Sequence, residues 1–456
     1  ALDFAVTRLQ PVVSEFLAQQ HAADDLVLFY ALLLAEYADH QLGTLGATPA
    51  AALYCSAYRI FGTLDRRLRS SALFAATGAG SGNSAGAEAL STAEAIYEFE
   101  LFRVLISLLN MLGTKDLGLD DDEAEGNNGT ETLSITPQAL EEVLVCTLFQ
   151  GLHLAFTRTS PALLAHHPHL AERYFSFVQY LGNAYEKQFL AYLGLIPAVG
   201  TGGITLDGTS LVMPAPVDAA RPLQHAERVA QQLLWCISSN ATDVISTKLI
   251  LSIINCIGTN YWNHLNAVIQ RLVRQGQGQG VVPGAADEAR LQYLAAHNDA
   301  ITALLFGVLE HLFRVVSLPP APVALFPDAG KDTGTIPVST TAYPEQLDSY
   351  GAALFSLLVY VHTASTLPGY CPHLRQTHSV QTFIASASAA LTGGVTAGSA
   401  ASGTSTSDAE LLEHFRALLT DRGMDYTNIN NRAQRTAFCT NLKAYVARVK
   451  PLLLFR

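Results

Sequence analysis

The sequence predicts an all-α protein, and three observations predict it. Apolar residues recur at spacings of three and four through nearly every hydrophobic segment. No segment sustains the apolar/polar alternation, bounded by hairpin turns, that a half-buried strand requires. Capping signals stand in front of several of the periodic runs.

Helices are expected over residues 2–20, 24–42, 48–66, 91–113, 137–157, 169–194, 222–239, 241–257, 261–274, 288–317, 346–366, 378–391, 408–420 and 431–450, which makes fourteen, or seven antiparallel pairs. The first carries Leu2, Phe4, Leu9, Val12 and Phe16 on one face. The second contains Leu26–Leu34, apolar around most of its circumference, and so requires neighbours on both flanks. Ser91 and Glu94 form a capping box ahead of Ile96, Phe99, Phe102, Leu105, Leu109 and Leu112. Thr136 before Pro137, and Ser160 before Pro161, each place a capping hydroxyl ahead of a proline at the first helical position. Ser407 and Glu410 form a second box ahead of Leu411, Phe415 and Leu418. The last helix presents Phe438, Leu442, Tyr445, Val446 and Val449, and Pro451 is expected to end or kink it.

Between these runs lie Gly/Ala/Ser/Pro-rich inserts at about residues 70–89, 115–134, 196–220, 275–286, 319–343 and 392–406, expected to be flexible. Removing them leaves roughly 340 residues, about eight units of the ~40–47 residues found in HEAT-type arrays. Helices apolar on several sides are what a stacked two-layer array needs. The expectation is therefore an α-α superhelix, a HEAT/armadillo-like solenoid of about seven antiparallel helix pairs running through residues 1–456.

Composition narrows the function. With 49% hydrophobic and 14% charged residues, the chain is neither disordered nor a coiled coil. A net charge of −12 argues against duplex nucleic acid as a partner. Eight basic and two acidic residues from Arg416 to Arg456 leave an acidic body with a basic end. Six scattered cysteines without a Cys-x-x-Cys pair speak against a zinc site or disulfide framework and fit a reducing compartment. Asn128 and Asn240 head Asn-x-Thr sequons, read as chance matches because nothing else points to secretion. The chain starts within a helical pattern, without Met or a signal peptide, as though inside a longer protein. Residues 349–374 lack Asp, Glu, Lys and Arg, but Ser356, His362, Thr363 and Pro368 interrupt them. A buried helix is expected there rather than a membrane span.

Motifs that suggest chemistry have bland readings. Gly82, Ser84 and Gly86 match the serine-hydrolase elbow, but no strand precedes them. The acidic run Asp120, Asp121, Asp122, Glu123 and Glu125 misses the register of a calcium loop, whether Gly126 or Glu131 is used to set it. It is a solvated loop or an acidic surface for a basic partner. His166, His167 and His169 lack accompanying metal ligands. Arg432, Arg435, Lys443, Arg448 and Lys450 on the last helix form a basic face, either solvated, compensating the helix C-terminus, or contacting an acidic partner. No active site, cofactor or metal is expected, and the chain is read as a non-enzyme.

Several blocks nevertheless resemble a known family. They are Leu45-Gly46 leading into Ala51, Ala52, Leu53 and Tyr54, then Arg66-Arg67; Val143 to Leu154, followed by Tyr174, Phe175 and Phe177; Leu304 to Phe313; and Asn431 to Arg456 with Phe438, Leu442, Tyr445 and Val449. Together they are similar to the C-terminal repeats of the importin-β/exportin family of nuclear transport receptors. The inserts and Pro451 depart from that pattern. The resemblance implies a HEAT-repeat carrier shuttling between nucleus and cytoplasm. It implies binding to Ran-GTP, mainly through repeats upstream of this chain, to nucleoporins, and to a basic protein cargo such as translation factor 5A, without membrane insertion. A helical-repeat scaffold or adaptor without a transport role is the alternative.

Overall fold

The computed structural model describes residues 47–70, 92–114, 135–159, 163–164, 167–198, 203–206, 208–214, 221–238, 243–276, 285–317, 322–323, 336–337, 344–369, 377–391, 406–420 and 424–454. Among them the chain is mostly helical, with twelve α-helices and two short two-stranded sheets. The helices expected over 2–20 and 24–42, the Ser91 and Ser160 caps, and most of the inserts lie outside the described residues. The chain divides into two compact units, residues 1–163 with 198–217 and residues 164–197 with 218–456.

In the first unit, α1 (Ala47–Ser70) and α2 (Thr92–Thr114) both pack on α3 (Pro137–Arg158). The expected cap opens α3: Thr136 Oγ1 accepts from Ala139 N at 3.3 Å, and Pro137 takes the first helical position, where no N–H is needed. Leu53, Phe61, Leu109, Leu112, Phe149 and Leu152 are fully or almost fully buried between the three helices. Two buried polar links cross them. Tyr54 OH donates to Leu112 O at 3.2 Å, and Thr147 Oγ1 donates to Tyr54 O at 3.1 Å.

The insert over 196–220 corrects the sequence reading. It contains an antiparallel hairpin, β1 (Ile204–Leu206) and β2 (Thr209–Leu211), paired in the register Ile204↔Leu211 and Leu206↔Thr209. Gly208, immediately before β2, has φ 73°, the left-handed conformation that tight hairpin loops demand. The hairpin is held on α1: Arg59 Nε donates to Thr209 Oγ1 at 2.7 Å, and Tyr58 OH both donates to Val212 O and accepts from Val212 N. Leu211 is fully buried. Three-residue strands are too short to show alternation, which is why the pattern was missed.

The second unit contains α4 (Pro168–Ala184), α5 (Glu186–Tyr192), α6 (Gln224–Ser238), α7 (Val244–Gly276), α8 (Ala285–Ser317), a two-stranded pair β3 (Pro322–Val323) and β4 (Ile336–Pro337), α9 (Leu347–Thr366), α10 (Val380–Leu391), α11 (Thr406–Thr420) and α12 (Arg432–Leu454). Their contacts sort the longer helices into two rows. α4, α7, α9 and α12 neighbour one another in that order, and α6, α8, α10 and α11 do likewise. From α6 to α10 successive helices alternate between the rows, and α8 on α9 and α11 on α12 provide the main contacts across them.

A glycine marks each crossing in the first row. A Cβ on Gly182 of α4 would lie 3.1 Å from Cys256 Sγ of α7, one on Gly258 of α7 would lie 2.9 Å from Ser356 Oγ of α9, and one on Gly351 of α9 would lie 2.7 Å from Cys439 Sγ of α12. Between the rows the filling is aromatic: the Phe313 ring of α8 lies 5.6 Å from Phe383 of α10, 4.9 Å from Phe415 of α11 and 6.1 Å from Tyr445 of α12. The expected core faces of α11 and α12 are buried as read, with Leu411, Phe415, Leu418, Phe438, Leu442, Tyr445, Val446 and Val449 all inside.

Four boundaries differ from expectation. The helices expected over 241–257 and 261–274 are one, α7, because the helix runs through Gly258. Glycine costs a helix interior about 1 kcal/mol, and close packing on α9 offsets it. The helix expected over 169–194 breaks at Tyr185, which leaves helical geometry at φ −123°, ψ 51°. It stops at Gly194, whose N–H bonds Ala191 O while Leu195 N bonds Leu190 O, the paired bonds of a left-handed C-cap. Helix α11 begins at Thr406, one residue before the serine read as its cap. Helix α12 continues through Pro451 to Leu454. The carbonyl that loses its donor there belongs to Ala447, an exposed residue, so water can replace the bond.

Helix α9, whose single charge is Asp348 in its first turn, is buried as expected, packed on α7, α8 and α12, with Leu354, Phe355, Leu357, Tyr360 and Val361 almost wholly enclosed. By length and composition, three described segments could cross a membrane: Pro137–Thr157, Glu288–Ser317 and Leu347–Gly369. Most of each is buried inside the protein.

Candidate functional site

The residues singled out in the sequence fare unequally. The acidic run Asp120, Asp121, Asp122, Glu123 and Glu125 and the Gly82–Gly86 motif lie outside the described residues. Of the histidine tract, His167 is the N-cap of α4 without a side-chain capping bond, and Pro168 and His169 are exposed in its first turn. Among the described residues, no group of three or more His, Cys, Asp or Glu is placed to hold a metal ion.

Polar chemistry inside the second unit consists of bonds between helices. Tyr174 OH of α4 donates to Gln232 Oε1 of α6 at 2.9 Å, and Gln179 Nε2 of α4 donates to Ser252 Oγ of α7 at 2.6 Å. Asn260 Nδ2 of α7 donates to Gly182 O at 3.0 Å. Trp262 Nε1 of α7 donates to Thr363 Oγ1 of α9 at 2.9 Å, and Thr302 Oγ1 of α8 shares a 2.8 Å bond with Tyr360 OH of α9. The interruptions seen in the apolar stretch of α9 are accounted for. Thr363 and Ser356 each donate to a carbonyl of their own helix, Val359 O and Ala353 O, both at 2.9 Å.

One pair has the look of catalysis. Ser238 Oγ and His311 Nε2 lie 2.7 Å apart, as a nucleophile and its base would. Both side chains are sealed, at 0% and 2% exposure. Burial, reinforced by Arg314, pushes the imidazole down to about 4, and no carboxylate bonds its other nitrogen. The pair joins α6 to α8 and offers a substrate no access. His225 plays a similar part: its Nδ1 donates to Tyr192 O at 2.9 Å and its ring lies 4.7 Å from that of Tyr192, fastening the end of α5 to α6. A void of about 30 Å³ lined by Leu193, Ala226, Val229, Leu233, Ile257 and Leu305 is wholly apolar in its side chains and has no polar group to orient a ligand.

What remains is the basic helix α12. It carries five basic residues and no acidic one. At 100° per residue, Arg432, Arg435, Lys443 and Lys450 fall within about 80° of one another and Arg448 alone stands apart. Arg432 and Lys443 lie along one edge, and Arg448 lies about 140–160° away around the helix, at 100° per residue; all three are exposed. Arg435 is half-buried, and Lys450 follows in the last turns. Lys443 Nζ pairs with Asp348 of α9 at 2.7 Å, with both side chains well exposed, so the pair contributes little to stability. Arg432 and Arg435 sit in the first turn, where the helix dipole favours acidic groups. Compensation of a helix C-terminus therefore cannot account for them.

Sequence reasoning found these basic residues but missed the polar links between helices, since a Thr or Ser in an apolar run does not reveal its partner. No protein-family profile matches the chain, and neither does any curated protein or solved structure.

Proposed function

We propose that this chain is the C-terminal part of a nuclear export receptor of the exportin-4 type, a karyopherin that carries protein cargo by non-catalytic binding in a Ran-GTP-dependent manner. The observation that carries the reading is the arrangement of the second unit. Its longer helices fall into two rows, successive helices from α6 to α10 alternate between them, and the same glycine-to-neighbour crossing recurs three times along the first row. That recurrence is what a HEAT-type solenoid would produce, each repeat touching mainly its neighbours. Together with the sequence resemblance, it supports a carrier that presents an extended surface to a folded cargo. The acidic body favours a basic cargo, such as translation factor 5A, through association rate and selectivity.

Ran-GTP and cargo would then stabilise the same state of the array, each tightening the other by a coupling typically of about 1–3 kcal/mol. The test is a titration of Ran-GTP and Ran-GDP against this chain and against its longer parent, with and without translation factor 5A. The parent is expected to bind Ran-GTP in preference to Ran-GDP, and more tightly with cargo, while this chain alone binds weakly. Equal affinity for both would move the GTPase site into these 456 residues. Indifference of the parent to the nucleotide would assign the protein to the scaffold reading instead.

A further inference from the structure

We propose that the apolar void between the end of α5 and helices α6, α7 and α8 is a binding pocket for the unbranched alkyl end of a small aliphatic molecule. The proposal stands on the void and its frame, and does not rest on the transport reading. The void measures about 30 Å³, with Leu193, Val229, Leu233, Ile257 and Leu305 among its walls. Every side chain lining it is Leu, Ile, Val or Ala, so the walls include no aromatic ring and no polar side chain.

A void persists where its walls cannot relax into it. Three polar bonds pin these walls to one another in pairs. Tyr293 OH of α8 donates to Gly194 O, just beyond α5, at 2.5 Å. His225 Nδ1 of α6 donates to Tyr192 O of α5 at 2.9 Å, and Ser238 Oγ of α6 lies 2.7 Å from His311 Nε2 of α8. The bonds bracket the void. On α6 its lining runs from Ala226 to Leu234, between His225 and Ser238. On α8 it runs from Leu304 to Val308, between Tyr293 and His311. Both helices are thus held on either side of the stretch that faces the void, and a shift that closed the middle would strain a hydrogen bond at one end. On the remaining side, Gln179 of α4 bonds Ser252 of α7, shortly before Ile254 and Ile257 of the lining. The pocket is therefore formed before a guest arrives.

Size and chemistry select the guest. A buried water needs two to four polar partners, and the lining side chains supply none. A ring is too large, since an engineered cavity that takes up benzene measures about 150 Å³. A polar or charged group would lose its hydration without replacement. A methyl-ended chain fits, because about 30 Å³ is the space of one water-sized group and an alkyl end needs no polar group to orient it. The entry lies beside Ala230, which is half-buried while the other described lining residues are buried, so the rest of the molecule leaves past a single methyl group.

The probe is n-hexanol, titrated into the full chain with isotope-labelled Leu, Val and Ile methyl groups and followed by NMR. Cyclohexanol, with the same number of carbons and the same hydroxyl but no chain end, is the control. Saturable shifts centred on the methyl groups of Val229, Leu233 and Leu305 are expected from n-hexanol, and none from cyclohexanol. Val229→Ile fills the space by one methylene and should weaken n-hexanol about fourfold or more. Ala230→Leu, at the entry, should weaken it as well, with circular dichroism confirming that both variants remain folded. Equal shifts from the two alcohols would mean that the core merely softens in cosolvent. Binding that survives both substitutions would place the site elsewhere, and the absence of saturable shifts would leave the void a packing defect. Each of these three results overturns the proposal.

Discussion

Replacing Gly351 by alanine tests the close crossings of the first row. On α9 the new methyl would lie 2.7 Å from Cys439 Sγ, 3.2 Å from Cys439 Cα and 3.3 Å from Cys439 Cβ. The sulfur could swing aside, but the Cα belongs to the backbone of α12, so relief requires the two helices to separate. Overpacking of this kind costs about 1–3 kcal/mol. Against it stands the gain of about 1 kcal/mol from putting alanine rather than glycine in a helix interior. The net expectation is a loss of up to roughly 2 kcal/mol. Gly62 of α1 provides the reference, since nothing lies within 4 Å of a Cβ placed there. Gly62→Ala should therefore realise the propensity gain alone and stabilise its unit by up to about 1 kcal/mol. Urea denaturation followed by circular dichroism reads both midpoints, and adding Cys439→Ala to Gly351→Ala should recover part of the loss, since the closest atom is removed. If Gly351→Ala stabilised the protein as Gly62→Ala does, the crossing would not be as tight as described and the reasoning would fail.

Acid should begin to destabilise the second unit below about pH 6.5, at higher pH than carboxylates titrate, and continue to do so down to about pH 4. Burial pushes His264 and His311 down to about 4, so between the ordinary histidine value of 6.5 and about 4 the unfolded chain binds protons that the folded one refuses. Stability is full above 6.5 and falls by up to about 3 kcal/mol per histidine as pH drops to 4. His311→Gln should flatten that slope in melts taken across the range; an unaltered slope would show that His311 is not held neutral. Val229→Ile should add one methylene to the apolar void beside it and raise stability by about 0.8 kcal/mol, whereas a lower melting temperature would mean that the space is too small. Thr363→Val should cost about 1–3 kcal/mol by leaving the buried Trp262 N–H without its acceptor, with a change in tryptophan emission as the second readout. No loss of stability would show that the indole finds another partner.

Helix periodicity was legible because each core face repeats every three or four residues, as the burial of Phe438, Leu442, Tyr445 and Val449 confirms. The Thr136 cap was legible for the same reason: its geometry is set within one turn. What the sequence did not reveal depends on residues far apart in it. The continuity of α7 through Gly258 rests on Ser356 of α9, and the bond that stations Thr363 rests on Trp262. The hairpin had a local signal in Asp207-Gly208, but its strands gain their anchorage from Tyr58 and Arg59, some 150 residues earlier. The basic residues of α12 were visible, whereas the half-burial of Arg435 and the pairing of Lys443 with Asp348 depend on α9, which is far away in the sequence.

The enclosure of α9 has a consequence for biosynthesis. This helix leaves the ribosome as a segment long and apolar enough to be taken for a membrane span, with Asp348 in its first turn as its single charge. Helices α7 and α8 precede it and can receive it as it emerges, but the flank that Gly351 turns toward Cys439 stays open until α12 is made. Some 65 residues separate the end of α9 from the start of α12. At a synthesis rate of about 5–20 residues per second, that flank waits for roughly 3–13 seconds. During that interval a greasy strip is available to any chaperone or targeting factor that scans nascent chains. Ribosome pausing between the two helices would lengthen the wait, and truncation before Arg432 would make it permanent.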